Sequence, residues 1–217
     1  AKGNDYFKTF IYRIGGASLA AGNEIDLARY DVVTIARTRY GDIHGDTWAA
    51  LIAINPSFKV YLYQLGPASF ADADHYPIFW LNNLGRWNIA RGHSMGSLHT
   101  DNPGLILRDA GGQCIINPAN PREIFHDVGA SDYQEYWIEA TIHDLVNPPW
   151  SADGVYVDGC AMTRCGMGNT SPVKYPSDDS WSTAMDRFIN AVTEGMHGVG
   201  MAVSCLRVGT TTAYGYD

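Results

Sequence analysis

Apolar and polar positions along this chain follow two rhythms, short bounded runs and longer stripes at three- and four-residue steps. Phe7 to Ile14 (FKTFIYRI) is an apolar-aromatic run closed by Gly15-Gly16, and Asp31 to Arg37 (DVVTIAR) is β-branched. Lys59 to Leu65 (KVYLYQL) ends at Gly66-Pro67. Bounded runs of this kind predict strands. Three more are predicted at Glu123 to Val128 (EIFHDV), Gly154 to Asp158 (GVYVD) and Met201 to Leu206 (MAVSCL), six in all. Between them, Trp48 to Ile54 (WAALIAI) has helical composition and stops at Asn55-Pro56, because the residue before proline avoids helical geometry. Ser131 can cap a second helix, with Asp132 near the positive end of its dipole. Along that helix Tyr133, Trp137, Ala140, Thr141 and Leu145 form one packing stripe. A third helix is predicted from Ser180, with Trp181, Ala184, Phe188, Ala191 and Val192 on one face and Gly198 and Gly200 at its end.

Strands thus alternate with helices, and the later connections are long enough for crossovers. That pattern predicts an α/β fold, a parallel sheet with helices outside it. At 217 residues the chain is expected to form a single domain, 1–217. Residues 67–121 break the rhythm, with many Gly, Pro, Asn and His and only short apolar pieces such as Pro77 to Leu81. A span this long without periodicity predicts an inserted lid or binding loop.

Composition narrows the classes. Hydrophobic residues make up 46% and charged residues 18%, the balance of a globular chain. The formal net charge of −8 argues against nucleic acid or an anionic membrane surface as partner, since both require a basic face. No apolar run approaches the roughly 20 residues that cross a bilayer. Thirteen Tyr and six Trp suit stacking on sugar rings, although aromatic residues also fill cores. Cys114, Cys160, Cys165 and Cys205 lack paired zinc-site spacing; Cys160 and Cys165 enclose a four-residue loop that a disulfide could close. With the sequon Asn169-Thr170-Ser171, this favours a secreted or extracytoplasmic setting.

The candidate chemistry lies at strand ends. Alternation places Tyr156 and Asp158 on one face of their strand, and Phe125 and Asp127 on one face of theirs. Ligands of parallel α/β folds bind at C-terminal strand ends, where both Asp residues fall. If the two strands were neighbours, about 4.8 Å apart, the carboxylates would perturb each other's ionisation. Asp127 could instead cap the next helix or satisfy loop amides. The loop after the second strand, with Arg37, Tyr40, Asp42, His44 and Asp46, suits a polyhydroxylated ligand; capping and ordinary solvated charge are the plainer account. Asp42, His44 and Asp46 could also be read as metal ligands, but such a triplet needs supporting ligands elsewhere, and no metal or other cofactor is expected. Tyr63 and Gln64 end the third strand at the mouth, and Trp80, Trp87, His93 and His99 offer flat faces and donors for a wall. Gly92-His93-Ser94-Met95-Gly96 has the letters of a serine-hydrolase elbow without the strand before it and helix after it.

The runs ARYDVVTIAR, INPSFKVYLYQLG, REIFHDVG, SDYQEYW and SADGVYVDGC together resemble the glycoside-hydrolase-like barrels described as hypothetical glycosyl hydrolases, in particular the family numbered fifteen. The resemblance runs from about Tyr30 to Gly200, and Asp153 to Asp158 is its most specific part. It implies a TIM-type (β/α)8 barrel with an acidic mouth. Asp158 would be the nucleophile or base at the anomeric carbon, Asp127 a neighbouring site residue, and an oligo- or polysaccharide the partner. Such barrels run to about 250 residues, so six strands predict an incomplete barrel. An opened barrel would expose strand edges and self-associate. A sugar-binding or self-assembling protein without catalysis is the alternative.

Overall fold

The structure, a computed structural model, describes residues 10–13, 27–36, 45–70, 103–146 and 152–205. In chain order its elements are β1 (Phe10–Arg13), β2 (Val32–Ala36), α1 (Gly45–Ile54), β3 (Lys59–Leu65), β4 (Ala68–Phe70), β5 (Ile116–Asn117), β6 (Asn120–Phe125), α2 (Ser131–Val146), β7 (Gly154–Asp158), α3 (Asp178–Gly198) and β8 (Ala202–Cys205). Five strands form one sheet in the order β1-β2-β3-β7-β8, and every adjacent pair is parallel. The order never reverses along the chain. Strands added in one direction with outer helices wind as a barrel does, whereas a doubly wound sheet reverses at its switch point.

The Asp-Gly-Val-Tyr-Val-Asp run of β7 shows why each residue type is needed. Asp153 stitches the strand bottoms: its carboxylate accepts from Val60 N at 3.0 Å and Lys59 Nζ at 2.7 Å. Gly154 lies where a Cβ would come within 2.4 Å of the Ala202 carbonyl oxygen, so the β7–β8 approach demands glycine. Val155 and Val157 are fully buried on the helix side. Tyr156 and Asp158 take the other face.

The helices follow their stripes. Tyr133, Tyr136, Trp137, Ala140 and Thr141 of α2 are buried, as are Trp181, Ala184, Met185, Phe188, Ile189, Val192 and Met196 of α3. Phe188 of α3 joins the two helices, stacking on Tyr133 and meeting Trp137 edge-on. The third helix begins earlier than its sequence predicts: Ser177 is the cap, and Ser177 and Ser180 bond reciprocally.

One predicted strand belongs elsewhere. The run at 123–128 is β6, spanning Asn120–Phe125, and it pairs antiparallel with β4 and β5 in a separate three-stranded sheet. The neighbours of β7 are β3 and β8, so the adjacency that would have set Asp127 beside Asp158 in one sheet does not exist. Both partners of β6 come from the region predicted as an irregular insertion at 67–121, of which residues 71–102 lie outside the described residues. The two sheets meet where β3 runs on into β4 through Gly66-Pro67. Gly66 N donates to Asp158 O at 2.9 Å, and Pro67 O accepts from His126 N at 2.8 Å, so the chain leaving β3 passes directly from β7 to β6. The small sheet therefore begins where β3 and β7 end.

All four cysteines are free thiols, Cys160 buried and Cys165 exposed, so the bridge considered between them is not formed. No described helix is long and apolar enough to cross a membrane.

Candidate active site

Asp158 is the last residue of β7, half-buried, on the sheet face opposite the helices. Gly159 follows with φ +76°, which turns the chain sharply against Pro67. Tyr63 stands one strand away, in register with Tyr156, and its hydroxyl donates to Asp158 Oδ2 at 2.5 Å. The Tyr63 and Tyr156 rings lie nearly parallel, with centroids 6.3 Å apart and planes at 18°. Burial and then the charge of Asp158 push the Tyr156 phenol up, keeping it a neutral donor. A carboxylate at the sheet end, held by one tyrosine and underlaid by two, is the core of the site.

Its scaffold is tied to α2 by hydrogen bonds. Trp137 Nε1 donates to Leu65 O at 2.8 Å and Tyr133 OH to Gly66 O at 2.6 Å, so one face of α2 fixes the end of β3. Two carbonyls that leave the ladder are thereby satisfied.

The small sheet brings a second carboxyl group. Glu123 of β6 is half-buried and accepts from Asn117 Nδ2 at 3.1 Å. Burial raises its pKa above the ordinary glutamate value; the Asn117 and Asn120 amides pull it back, and the negative charge of Asp158 pushes it further up. Local pattern does not single out Glu123, because its relation to Asp158 depends on the passage from β3 to β4 at Gly66-Pro67. The Asn-x-x-Asn-x-x-Glu spacing of Asn117, Asn120 and Glu123 was the available signal.

Asp127 occupies a different environment. It is 4% exposed, paired with Lys174, and accepts from the Tyr175 hydroxyl, which in turn accepts from Gly129 N at 3.1 Å. Those bonds tie the turn before α2 to the segment before α3. Burial and the Asp127 contact push the Tyr175 phenol up. Next to it, His126 is fully buried, stacked on Tyr133 at 5.1 Å, with burial pushing its pKa down to about 3. Gln64, expected at the mouth, is in register with Val157 and buried on the helix side, because strand alternation turns it away from Tyr63.

Of the other expected site residues, Arg37, Tyr40, Asp42, His44, Trp80, Trp87 and His93 lie outside the described residues. Among the described residues, no group of three or more His, Cys, Asp or Glu is placed to hold a metal ion.

The profile of the hypothetical glycosyl hydrolase family 15 matches residues 53–215, which include β3, the small sheet, β7 and β8. The chain belongs to that family. Solved structures agree on the fold. The glycoside hydrolase domain of PelA from Pseudomonas aeruginosa superposes with a TM-score of 0.53 at 10% identity, over 91% of this chain and 58% of that one. A mutant of Kfla1895 in complex with isomaltose gives 0.55 at 12% identity, over 92% and 31%. The galactosidase domain of the α-galactosidase-sucrose kinase AgaSK gives 0.53 at 10% identity, over 93% and 27%. This chain therefore spans a little over half of the PelA domain and about a third or less of the other two. No curated protein matches the sequence.

Proposed function

We propose that this protein hydrolyses glycosidic bonds in an oligo- or polysaccharide, with Asp158 acting at the anomeric carbon as nucleophile or base. The observation that carries the reading is the placement of Asp158, a half-buried carboxylate at the C-terminal end of a parallel strand, held by Tyr63. Family membership and the five strands in unreversed order support it, and with them the reading of the sheet as part of a (β/α)8 barrel. Cleavage passes through an oxocarbenium-like state whose positive charge a fixed carboxylate stabilises, more strongly where water is partly excluded. The Tyr63–Tyr156 pair offers an apolar face for a pyranose ring. The structural neighbour bound to isomaltose, and the one described as a galactosidase, favour a hexose-containing substrate. An extracytoplasmic setting fits a polymeric sugar.

Asp127 is better read as a structural residue, since Lys174 and Tyr175 already engage its carboxylate.

The test is to incubate the protein with a panel of α- and β-linked hexose oligosaccharides and polysaccharides and follow new reducing ends by mass spectrometry. Release from at least one substrate is the expected result. Saturable binding without release across the panel would instead mark a carbohydrate-binding protein and overturn the hydrolytic reading.

A further inference from the structure

We infer that Glu123, carried on the small antiparallel sheet, is the acid partner of Asp158 and protonates the departing sugar oxygen. The assignment rests on the reading of Asp158 given above and adds a residue that no strand of the parallel sheet supplies.

The chain passes from β3 to β4 at Gly66-Pro67, so β4 starts, and its antiparallel partner β6 ends, at the rim where Asp158 sits. Within β6, Glu123 shares a face with Phe125. Phe125 packs edge-on against Trp181, and its ring lies 3.2 Å from where a Cβ on Gly166 would be. Gly166 belongs to the segment that follows Asp158. That face of β6 is therefore turned over the loop leaving the site.

The carboxyl group is also held in place from its own sheet. A register shift between Ile116 and Asn117 interrupts the β5–β6 ladder. The Asn117 side chain uses both ends, accepting from Ala119 N at 3.0 Å and donating to Glu123 Oε2 at 3.1 Å. The Asn120 amide also acts on it, favouring the charged form slightly. Two neutral amides orient a carboxyl group without supplying a cation that would hold it ionised. Asp127, by contrast, has a lysine. Burial and the charge of Asp158 then act together to favour the protonated form of Glu123. One carboxyl group poised to give a proton and another held as an acceptor is the division of labour that glycoside cleavage requires.

The chemistry balances. Glu123 gives its proton to the bridging oxygen as the bond from that oxygen to the anomeric carbon breaks, and the electron pair stays on the oxygen. Water adds to the anomeric carbon and gives one proton to the carboxylate pair. The pair ends each cycle with the proton it began with, and each fragment carries one new hydroxyl.

The test compares Glu123→Gln with Asp158→Asn on the oligosaccharide that the wild-type protein cleaves and on the 2,4-dinitrophenyl glycoside of the same sugar. That leaving group departs without protonation. Glu123→Gln is expected to lower kcat/KM on the oligosaccharide by about 100-fold or more, but on the activated glycoside by less than about tenfold, and to abolish the alkaline limb of the pH profile. Equal losses on both substrates, or none on either, overturn the assignment. A loss with Asp158→Asn but none with Glu123→Gln removes Glu123 alone and leaves the function standing. No cleavage by the wild type removes both. Independently of turnover, carboxyl carbon NMR of the intact protein should show Glu123 titrating above ordinary glutamates, with its midpoint falling in Asp158→Asn. An unmoved midpoint shows that the two groups are not coupled and overturns the pairing.

Discussion

His126 should make this fold acid-sensitive by an amount that can be worked out. Its imidazole is fully buried against Tyr133, and its pKa is pushed down to about 3 from an ordinary 6.5. In the unfolded chain the ring takes up a proton as pH falls below 6.5, whereas in the native state it stays neutral until about 3. The unfolded state therefore binds more protons throughout that window, and acidification favours unfolding. The stability conferred by neutral His126 is fully present above 6.5 and is lost as pH falls toward 3. Each pH unit inside the window costs about 1.4 kcal/mol, so a drop to pH 5 removes about 2 kcal/mol. Against a typical total of 5–15 kcal/mol, roughly, that is a measurable fraction. The perturbation is His126→Gln, which cannot take up the proton. Urea unfolding followed by tryptophan fluorescence between pH 5 and 7.5 gives the stability of each protein. The wild type should lose about 2 kcal/mol more than the variant between pH 6.5 and 5, every other titrating group cancelling in the difference. Parallel curves would show that His126 does not stay neutral in the folded protein. The site feels this step too, because the His126 backbone N–H joins β6 to Pro67 and so holds the small sheet at the mouth.

Three further outcomes follow from contacts already described. Gly154→Ala drives a methyl group into the Ala202 carbonyl and should cost about 1–3 kcal/mol in chemical denaturation; an unchanged midpoint would contradict the close β7–β8 approach. Asp127→Asn should lower stability by about 1–3 kcal/mol, because it weakens the bonds to Lys174 and Tyr175. It should leave kcat/KM of the folded protein within about threefold, and a larger loss would return Asp127 to the site. Tyr63→Phe removes one hydrogen bond to a charged group and should reduce kcat/KM by about 10- to 100-fold with little change in Tm, as read by steady-state kinetics and differential scanning fluorimetry.

Sequence pattern reached some of this structure and stopped at identifiable places. The bounds of β3 and β7 were legible because each is a run of β-branched and aromatic residues between turn residues, and the stripes of α2 and α3 were legible because a helix repeats its buried face. The start of α3 was misplaced because Ser177 and Ser180 cap reciprocally, and only the second stands beside the apolar stripe. The pairing of β6 was not legible. Its partners β4 and β5 have three and two residues, too few for any periodicity, and one lies far away in sequence. The same nonlocality hid Glu123, which pairs in register with Phe70, while Asp158 could be placed from alternation within its own strand. Gln64 was assigned to the mouth by its position at the strand end, although its parity opposes that of Tyr63.

The most direct test of the central claim is the ratio of kcat/KM for wild type and Asp158→Asn on one cleaved oligosaccharide. Asparagine keeps the shape of the side chain and removes its charge. A fall of about a thousandfold or more is expected, with Tm within about 3 °C of wild type. A variant that folds equally well and retains activity within about tenfold would contradict the claim.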